Sequence, residues 1–242
     1  MRTPSPLPAH TRHPMPLPFV VRPAAGPHDL LQVATLRAQA YGRHLPGFAS
    51  SLRTVEDADR SPGAVVLLAQ SKADGRVVGT VRLQIDLQRA LPVEASVALP
   101  AWLRAAGPCI EATRLGVEAS ECGALARNAL LKASYLHARA AGAAWIVATA
   151  RPPLDRLYES LLFRDVLEGG AAVPMRHVGN LPHRVMALQV HEARALFSAR
   201  RHPLAAYFLD TEHPDLVIDA GPLRQRALAA AVVVEPAAGE VL

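Results

Sequence analysis

Runs of hydrophobic positions separated by polar segments predict one helix and four strands in the first half of the chain. The strands are rich in Val, Leu and Ile, and the helix carries a broad apolar stripe at helical spacing. Asp74-Gly75 readily forms a hairpin turn, so the second and third strands are expected to be antiparallel. The predicted elements are a strand at 19–22, a helix at 28–43, and strands at 64–69, 77–85 and 109–117.

The second half continues with alternating helices and strands. Ser120 is suited to cap the next helix and Gly142 to end it. The run at 144–150 is continuously apolar, as expected for a central strand that is buried on both faces. The predicted elements are a helix at 121–141, a strand at 144–150, a helix opened by Pro152-Pro153 and carrying 154–163, strands at 172–178 and 184–190, and a helix at 192–201.

This order of elements predicts an α/β (α+β) fold with a mixed central sheet flanked by helices. A single domain is expected over 19–218. The Pro-rich segment 1–18 is expected to be disordered, and 219–242 to form a helix or a loose tail. The polar connection 45–62 is long for a compact domain, and loops of that length are more often functional than idle.

The strand at 109–117 carries a carboxylate, Glu111, and a guanidinium, Arg114, among otherwise apolar residues. Burying a charge in such a strand costs folding free energy unless the charge is paired, so an unpaired one suggests a functional role. Residues three apart in a regular strand point to opposite faces, so a direct pair between the two requires a bulge. Two interpretations stand: a buried ion pair, or two side chains of a functional cleft.

Composition narrows the class of protein. Half of the residues are hydrophobic and 19% are charged, which is typical of a globular chain, and the net charge is +5. The basic balance favours an acidic partner, or simply reflects a GC-rich genome. The two cysteines and ten histidines have no metal-ligand spacing, so no metal is predicted.

Targeting and nucleic-acid signals are weak in this sequence. No window approaches the ~18 consecutive apolar residues of a membrane span. Residues 1–18 lack the apolar core of a signal peptide, so a cytoplasmic protein is expected. A nucleic-acid binder is disfavoured, because the basic residues are scattered and aromatic residues make up only 5% of the chain.

The order of elements resembles the GNAT N-acetyltransferase superfamily, which implies a single GNAT-like domain. Gly79-Thr80-Val81-Arg82 is similar to the third strand of that fold, and Leu157–Phe163 to its last conserved helix. Members bind the acetyl-CoA pyrophosphate through Gln/Arg-x-x-Gly-x-Gly/Ala after the fourth strand. Gly123 is the only glycine nearby here, and its flanks do not fit. The usual backbone donors for a diphosphate are therefore not expected.

The order and spacing of several residues resemble the patterns of two groups within this superfamily. These are the acyl-homoserine-lactone (autoinducer) synthases and the N-acyl amino acid synthases. The autoinducer pattern has an Arg and an aromatic residue four apart in the first helix, acidic residues in the next loop, a strand-three Arg and a Glu-x-x-Arg strand. The matching residues here are Arg37, Tyr41, Glu56, Asp59, Arg82, Glu111 and Arg114. Phe48 falls near the place of the autoinducer tryptophan. The segments His202-Pro203-Leu204 and His213–Leu216 are closer to the N-acyl amino acid synthases.

The resemblance implies an N-acyltransferase that moves a long-chain acyl group from acyl carrier protein to the α-amine of an amino acid. The phosphopantetheine thioester of the carrier is then a co-substrate, and no bound cofactor is expected. Two rivals remain: an autoinducer synthase that uses S-adenosylmethionine, and a non-catalytic acyl-binding sensory module. The candidates for a basic face that meets the carrier, or else for solvated helix charges, are Arg127, Lys132, Arg139, Arg151, Arg156 and Arg164.

Glu111 is the candidate catalytic base, and Arg114 accompanies it in the cleft. An α-amino group is largely protonated near neutrality, so amide synthesis needs a group that removes its proton. Backbone amides of the 109–117 strand are the expected donors to the oxyanion of the tetrahedral intermediate.

The remaining candidates are substrate-binding residues, each with a structural alternative. Arg82 is suited to a bidentate contact with a substrate carboxylate, or is an exposed strand charge. Arg37 is expected to pair with Glu56 or Asp59 and organise the entrance loop. The two aromatic residues either line the cleft or pack in the core; they are Tyr41 and Phe48.

Overall fold

An eight-stranded mixed sheet forms the centre of the computed structural model, which describes residues 14–86, 89–219 and 221. The strands are β1 (Phe19–Pro23), β2 (Ala64–Ser71), β3 (Val77–Ile85), β4 (Cys109–Val117), β5 (Trp145–Ala150), β6 (Arg164–Asp165), β7 (Ala172–Met175) and β8 (Leu181–Gln189). They are ordered β1-β2-β3-β4-β5-β8-β6, and β7 also pairs with β8. Paired neighbours are antiparallel except β4 and β5, which run parallel.

Helices cover both faces of this sheet. They are α1 (Pro27–Gly42), α2 (Pro46–Ala49), α3 (Ala101–Arg104), α4 (Glu121–Ala141), α5 (Leu154–Ser160) and α6 (Ala193–Ala199). Alternate residues of β2 belong to separate apolar clusters: Val66 and Leu68 pack with α1, and Val65 and Leu67 belong to the cluster that contains α4. Because successive side chains of a strand point to opposite faces, α1 and α4 lie on opposite sides of the sheet.

The position of α4 depends on its two ends and on one glycine of β3. The Ser120 hydroxyl accepts a hydrogen bond from the Gly123 amide at 3.0 Å, and Gly142 ends the helix in the left-handed conformation at φ 73°. Gly79 lies directly under the helix. A Cβ at Gly79 would come within 2.8 Å of the Leu130 side chain, so α4 can approach β3 this closely only over a glycine.

β4 and β5 pair over only part of their length. Cys109–Ala112 lie beside Trp145–Ala148, and beyond that point the ladder stops. Arg114 has a φ of 57°, and the register between β3 and β4 shifts around it. This is a β-bulge, and since a bulge bends its strand, the carboxyl ends of β4 and β5 part here.

The helices and strands predicted from the sequence are found. The ends of β1, α1 and β2 differ by one or two residues, and the larger differences are in the loops and the second half. The connection 45–62 contains α2 and the 3₁₀ turns Ser50–Leu52 and Asp57–Asp59. The remaining differences concern boundaries and one extra strand: α5 ends at Ser160, β6 was not predicted, β7 ends at Met175 instead of 178, β8 spans Leu181–Gln189 instead of 184–190, and α6 spans Ala193–Ala199 instead of 192–201.

Residues 14–18, placed within a disordered segment by the sequence, run beside the C-terminal part of the chain. The Met15 amide donates to the Glu212 carbonyl at 2.9 Å, and the Val21 amide to the Asp215 carbonyl at 2.8 Å. The rest of 1–18 and nearly all of the predicted tail 219–242 lie outside the described residues. Within the described residues, no helix has the length and hydropathy needed to cross a bilayer.

Lys132 was expected on an exposed basic face, but it is buried on α4. Its ammonium group donates to the carbonyl oxygens of Tyr207 at 2.6 Å and Thr211 at 2.5 Å. Burial lowers its pKa to about 8. Lys132 therefore holds the segment after α6 against the core and is not available to a partner surface.

Candidate functional site

A cleft of about 700 Å³ opens where the ends of β4 and β5 separate. Its walls are β4 from Ala112 onward, the end of β5, α5, the end of α1 and the turn before β8. Apolar surface comes chiefly from β4 and α5. Four arginines also line the cleft: Arg43, Arg114, Arg127 and Arg151. The gap created by the bulge is thus an apolar cavity with cationic groups along it.

Five buried or half-buried charged side chains form one network between α1, β3, β4 and the Asp57–Asp59 turn. Arg37 Nη1 donates to both Asp59 carboxylate oxygens at 2.8 Å. Arg82 Nη1 lies 3.2 Å from Asp59 Oδ1 and 3.3 Å from Glu56 Oε2. Arg114 donates two hydrogen bonds to Glu56, from Nε to Oε2 at 2.8 Å and from Nη2 to Oε1 at 2.6 Å. Each charge therefore has an opposite charge as its partner.

The 3₁₀ turn at Asp57–Asp59 brings the two acidic residues of this network together. The Glu56 amide donates to Asp59 Oδ2 at 3.2 Å, and the Asp59 amide donates to the Glu56 carbonyl at 2.9 Å. This capping arrangement directs both carboxylates towards the three guanidinium groups. Burial alone would raise the pKa of Glu56. The hydrogen bond and the charge of Arg114, together with the charges of Arg82 and Arg37, instead hold this pKa below its usual value.

Arg82 is enclosed by this network. It is 2% exposed, its Nε donates to Thr113 Oγ1 at 3.2 Å, and it does not line the cleft. Its role as the ligand of a substrate carboxylate stays a prediction. Arg37 pairs with both acidic residues of the loop, as an organiser of the entrance would, and its exposure of 1% gives it no direct access to a substrate.

Glu111 is fully buried on β4, outside the network. Its Oε2 accepts a hydrogen bond from the Val93 amide at 2.8 Å, whereas its Oε1 has no hydrogen-bond partner among the described residues. No arginine makes an ion pair with it there, so the bulge does not produce a Glu111–Arg114 pair. Burial raises the Glu111 pKa to about 8, against the lowering effects of the Val93 amide and Arg82. Glu111 itself does not line the cleft.

His177 stands between Glu111 and the cleft, and the sequence did not single it out. Its Nε2 lies 4.0 Å from Glu111 Oε1 and 3.3 Å from Thr149 Oγ1, and both His177 and Thr149 line the cleft. Sequence reasoning placed it inside a strand at 172–178. The signal for a turn was the following Gly179-Asn180, where Gly179 and Asn180 adopt φ values of 71° and 59°.

The two aromatic candidates lie near the bulge. Tyr41, on the last turn of α1, lines the cleft and meets Phe48 edge-on with ring centroids 5.8 Å apart. Phe48 does not line the cleft; the Arg114 guanidinium lies 5.2 Å from its ring centroid. Such a contact adds to the ion pair that holds Arg114 in place. Tyr41 thus faces the cavity, and Phe48 supports the network behind it.

The start of α4 is poorly suited to binding a diphosphate. The Gly123 amide is already bonded to the Ser120 hydroxyl, and a Cβ at Gly123 would lie 2.0 Å from the Glu118 carbonyl oxygen. Glu118 precedes the helix and Glu121 lies in its first turn. Two carboxylates at a helix start repel an anion that would otherwise be attracted there.

The expected basic face is divided in the structure. Arg127 and Arg151 line the cleft, whereas Arg164 stacks near Trp102 and Trp145 at the beginning of β5, with centroid distances of 5.7 and 5.0 Å. The cleft opens at the other end of β5. Only part of the predicted set is therefore near the cavity. Among the described residues, no cluster of three or more His, Cys, Asp or Glu side chains could hold a metal ion.

Comparison with known proteins gives one family and a set of similar folds. The family model for the N-acyl amino acid synthase FeeM matches residues 32–189. The solved structure of FeeM, an N-acyl amino acid synthase from uncultured soil microbes, is similar with a TM-score of 0.63 and 19% identity, covering 75% of this chain and 96% of that one. Among curated proteins, none matches the sequence.

Two further structures share the fold. BjaI, a CoA-dependent acyl-homoserine lactone synthase solved with MTA, has a TM-score of 0.56 and 18% identity, covering 87% of this chain and 99% of that one. A protein described as a GNAT-family acetyltransferase from Desulfovibrio desulfuricans has a TM-score of 0.51 and 17% identity, covering 71% and 99%. The prediction of a GNAT-like fold is thereby confirmed.

Proposed function

This chain belongs to the family of the N-acyl amino acid synthase FeeM and is an acyltransferase. We propose that it transfers a long-chain acyl group from an acyl carrier protein to the α-amine of an amino acid. The observation that carries the proposal is the cleft between β4 and β5, which has an apolar interior and ends beside the Glu111–His177 pair. The phosphopantetheine thioester of the carrier is a co-substrate in this proposal, and the protein needs no bound cofactor.

The start of α4 supports a carrier protein as the donor. A CoA donor brings a diphosphate that needs free amides or cations, but here the helix start carries Glu118 and Glu121, and its Gly123 amide is taken by Ser120. The phosphopantetheine arm of a carrier protein has one phosphate, which remains attached to the carrier's own serine. Acyl carrier proteins are acidic, so the arginines of the cleft favour their approach electrostatically. These are Arg43, Arg127 and Arg151, in addition to Arg114, which is paired with Glu56.

The apolar side of the cleft supports a long acyl chain as the transferred group. Ala112 and Tyr158 line both the cleft and a second, smaller apolar cavity of about 30 Å³ enclosed by α4, α6 and Phe208. We assign the chain to a path from the cleft towards this cavity. Each methylene group buried there contributes about 0.8 kcal/mol to binding.

The amino acid acceptor needs a cation for its carboxylate. Arg82 is enclosed by the network, so we assign this contact to Arg151 at the end of β5. Arg151 makes no ion pair among the described residues. It is near the cleft residue His183, whose pKa is lowered by burial and by the Arg151 charge. This placement leaves the amine of the acceptor free to face Thr149 and His177.

The reaction requires the loss of two protons from the ammonium group. Glu111, acting through a group that reaches the cleft, is the base in this proposal, and the β4 amides beyond the last pair with β5 are the candidate oxyanion donors. Tyr158 lines the cleft, and burial raises its pKa, so its hydroxyl stays protonated at neutral pH. It is the candidate for a hydrogen bond to the departing thiolate.

The test is a product analysis with competing donors and acceptors. The protein is incubated with a C12–C16 acyl group on carrier protein or on CoA, together with an amino acid mixture or S-adenosylmethionine, and products are identified by mass. The proposal expects N-acyl amino acids made from the carrier-bound donor. A lactone product would contradict the proposal and indicate autoinducer synthesis. A preference for acyl-CoA would contradict the carrier protein as the acyl donor. Unconsumed thioester together with a bound acyl chain would indicate a non-catalytic binding module.

A further inference from the structure

We propose that His177 is the residue that contacts the acceptor amine and takes its proton, with Glu111 as the buried partner behind it; this inference rests on the proposed amide synthesis. Glu111 cannot meet the amine directly, because it is fully buried and does not line the cleft. Its Oε2 is occupied by the Val93 amide, so only Oε1 remains for chemistry. The titratable group nearest to Oε1 on the cleft side is the His177 imidazole, 4.0 Å away.

His177 is in contact with the cavity in which the acceptor is expected. Its side chain is 12% exposed, and it lines the cleft together with Thr149. Nε2 lies 3.3 Å from Thr149 Oγ1, so the imidazole and the hydroxyl present adjacent polar atoms at the end of β5. An amine that displaces or joins the hydroxyl at Nε2 is within the distance that proton transfer requires.

Arg114 fixes the position of His177. The His177 carbonyl accepts a hydrogen bond from Arg114 Nη2 at 2.8 Å, and the same guanidinium is held by Glu56. The left-handed conformation of Arg114 in the bulge turns its side chain towards both partners. Arg114 is therefore a positioning residue. The bulge opens the cleft and also directs the Arg114 side chain to the His177 carbonyl.

The surroundings of His177 keep its imidazole neutral. Burial lowers its pKa to about 4, with further lowering by Arg114 and His183, and by Arg82 from β3. Glu56 acts in the opposite direction, and Glu111 faces the ring from β4. A neutral imidazole has a lone pair available, and the imidazolium formed on proton transfer lies beside Glu111, whose ionised fraction increases as the pH approaches its pKa of about 8.

The proton balance of the step is complete without another reactant. The first ammonium proton moves to His177 Nε2 and from the imidazolium to the ionised Glu111 carboxylate, and the freed amine lone pair attacks the thioester carbonyl. The tetrahedral intermediate collapses with cleavage of the C–S bond. The second proton leaves the nitrogen as the amide forms; of the two protons, one protonates the thiolate of the carrier and the other passes to solvent.

The experiment compares His177→Gln and His177→Ala with the wild type in single-turnover acyl transfer, with and without added imidazole. Both variants are expected to lose about 10²–10⁴-fold in kcat, with the KM for acyl carrier protein little changed. Imidazole is expected to restore part of the rate of His177→Ala, in proportion to its neutral form. The matched control is His191→Gln, an exposed histidine outside the cleft, which keeps the wild-type rate.

Two results overturn the inference: kcat within threefold of wild type in His177→Gln, or a loss in His177→Ala that imidazole does not restore. A melting temperature for each variant accompanies the rates, so that a folding defect is recognised as a structural role. A wild type that makes no N-acyl amino acid contradicts the proposed function instead, which keeps the two failures distinguishable.

Discussion

Two acidic residues, the half-buried Glu56 next to β4 and the fully buried Glu111 on it, differ in how their charge is balanced. Glu56, in the network, accepts two hydrogen bonds from Arg114 and is near two further arginines, which hold its pKa below the usual value in spite of burial. Glu111, on the strand itself, has one backbone donor and no ion pair with an arginine of the described residues, and burial raises its pKa to about 8.

This difference separates the framework of the site from its chemistry. A carboxylate that is paired on all sides holds its neighbours in place, and removing a partner destabilises the fold. A buried carboxylate without a counter-ion opposes folding when it is charged, but its raised pKa matches that of an amine. We therefore expect changes at Glu111 to affect the rate, and changes in the network to affect stability.

The largest expected effect is that of Glu111→Gln on the rate. The amide keeps the size and can still accept from the Val93 amide, but it cannot take a proton. Single-turnover acyl transfer is expected to fall by about 10²–10⁴-fold, with the melting temperature at neutral pH unchanged or raised. Glu118→Gln, a change at the start of α4, serves as the matched control. A full wild-type rate in Glu111→Gln would exclude this residue as the base.

The next effect is that of Arg37→Met on stability. Arg37 is 1% exposed and donates to both oxygens of Asp59, so the substitution leaves that carboxylate buried with Arg82 as its main partner. Breaking a buried pair in this way costs about 3–5 kcal/mol of unfolding free energy. Urea unfolding measures the change.

The control for that measurement is Arg76→Ala, which removes an exposed pair with Asp74 and should leave the unfolding midpoint where it is. If Arg37→Met proves no more destabilising than Arg76→Ala, the network is not a framework. The contrast with Glu111 would then be lost.

The smallest effect is a pH-dependent difference in stability. The folded-state pKa of Glu111, about 8, lies above that of an unfolded glutamate. The folded state therefore holds this proton more tightly, and the associated stability is present at low pH and is lost as the pH rises through about 8. Glu111→Gln has no such loss. Its melting temperature relative to wild type should rise by a few degrees between pH 5 and pH 9; a constant difference would show that Glu111 is not buried in this way.

The fold was predictable from the sequence because its main elements carry strong local signals. β4 and α4 have the predicted boundaries, since a mostly apolar segment of nine residues ends shortly before a Ser N-cap and the helix ends at Gly142. β6 has two residues and no periodicity, so nothing in the sequence marks it. The turn at Asp57–Asp59 is defined by backbone bonds to carboxylates, which a polar loop sequence does not reveal.

The site was predictable only in part, because its key features depend on tertiary contacts. The resemblance gave Glu111, Arg114 and the network residues in order. It did not give the left-handed backbone at Arg114, since such a conformation is favoured by glycine and this position is an arginine. His177 was missed because its only distinguishing contacts are to distant parts of the chain, Glu111, Thr149 and Arg114.

The central claim, transfer of an acyl group from a carrier protein to an amino acid, is tested most directly by intact mass measurement of an acylated carrier protein during one turnover. The protein and an amino acid mixture are added, and carrier and small-molecule products are quantified together. The account predicts that each acyl group lost from the carrier appears as one N-acyl amino acid. A carrier that keeps its acyl group, or loses it only to free fatty acid, would contradict the claim.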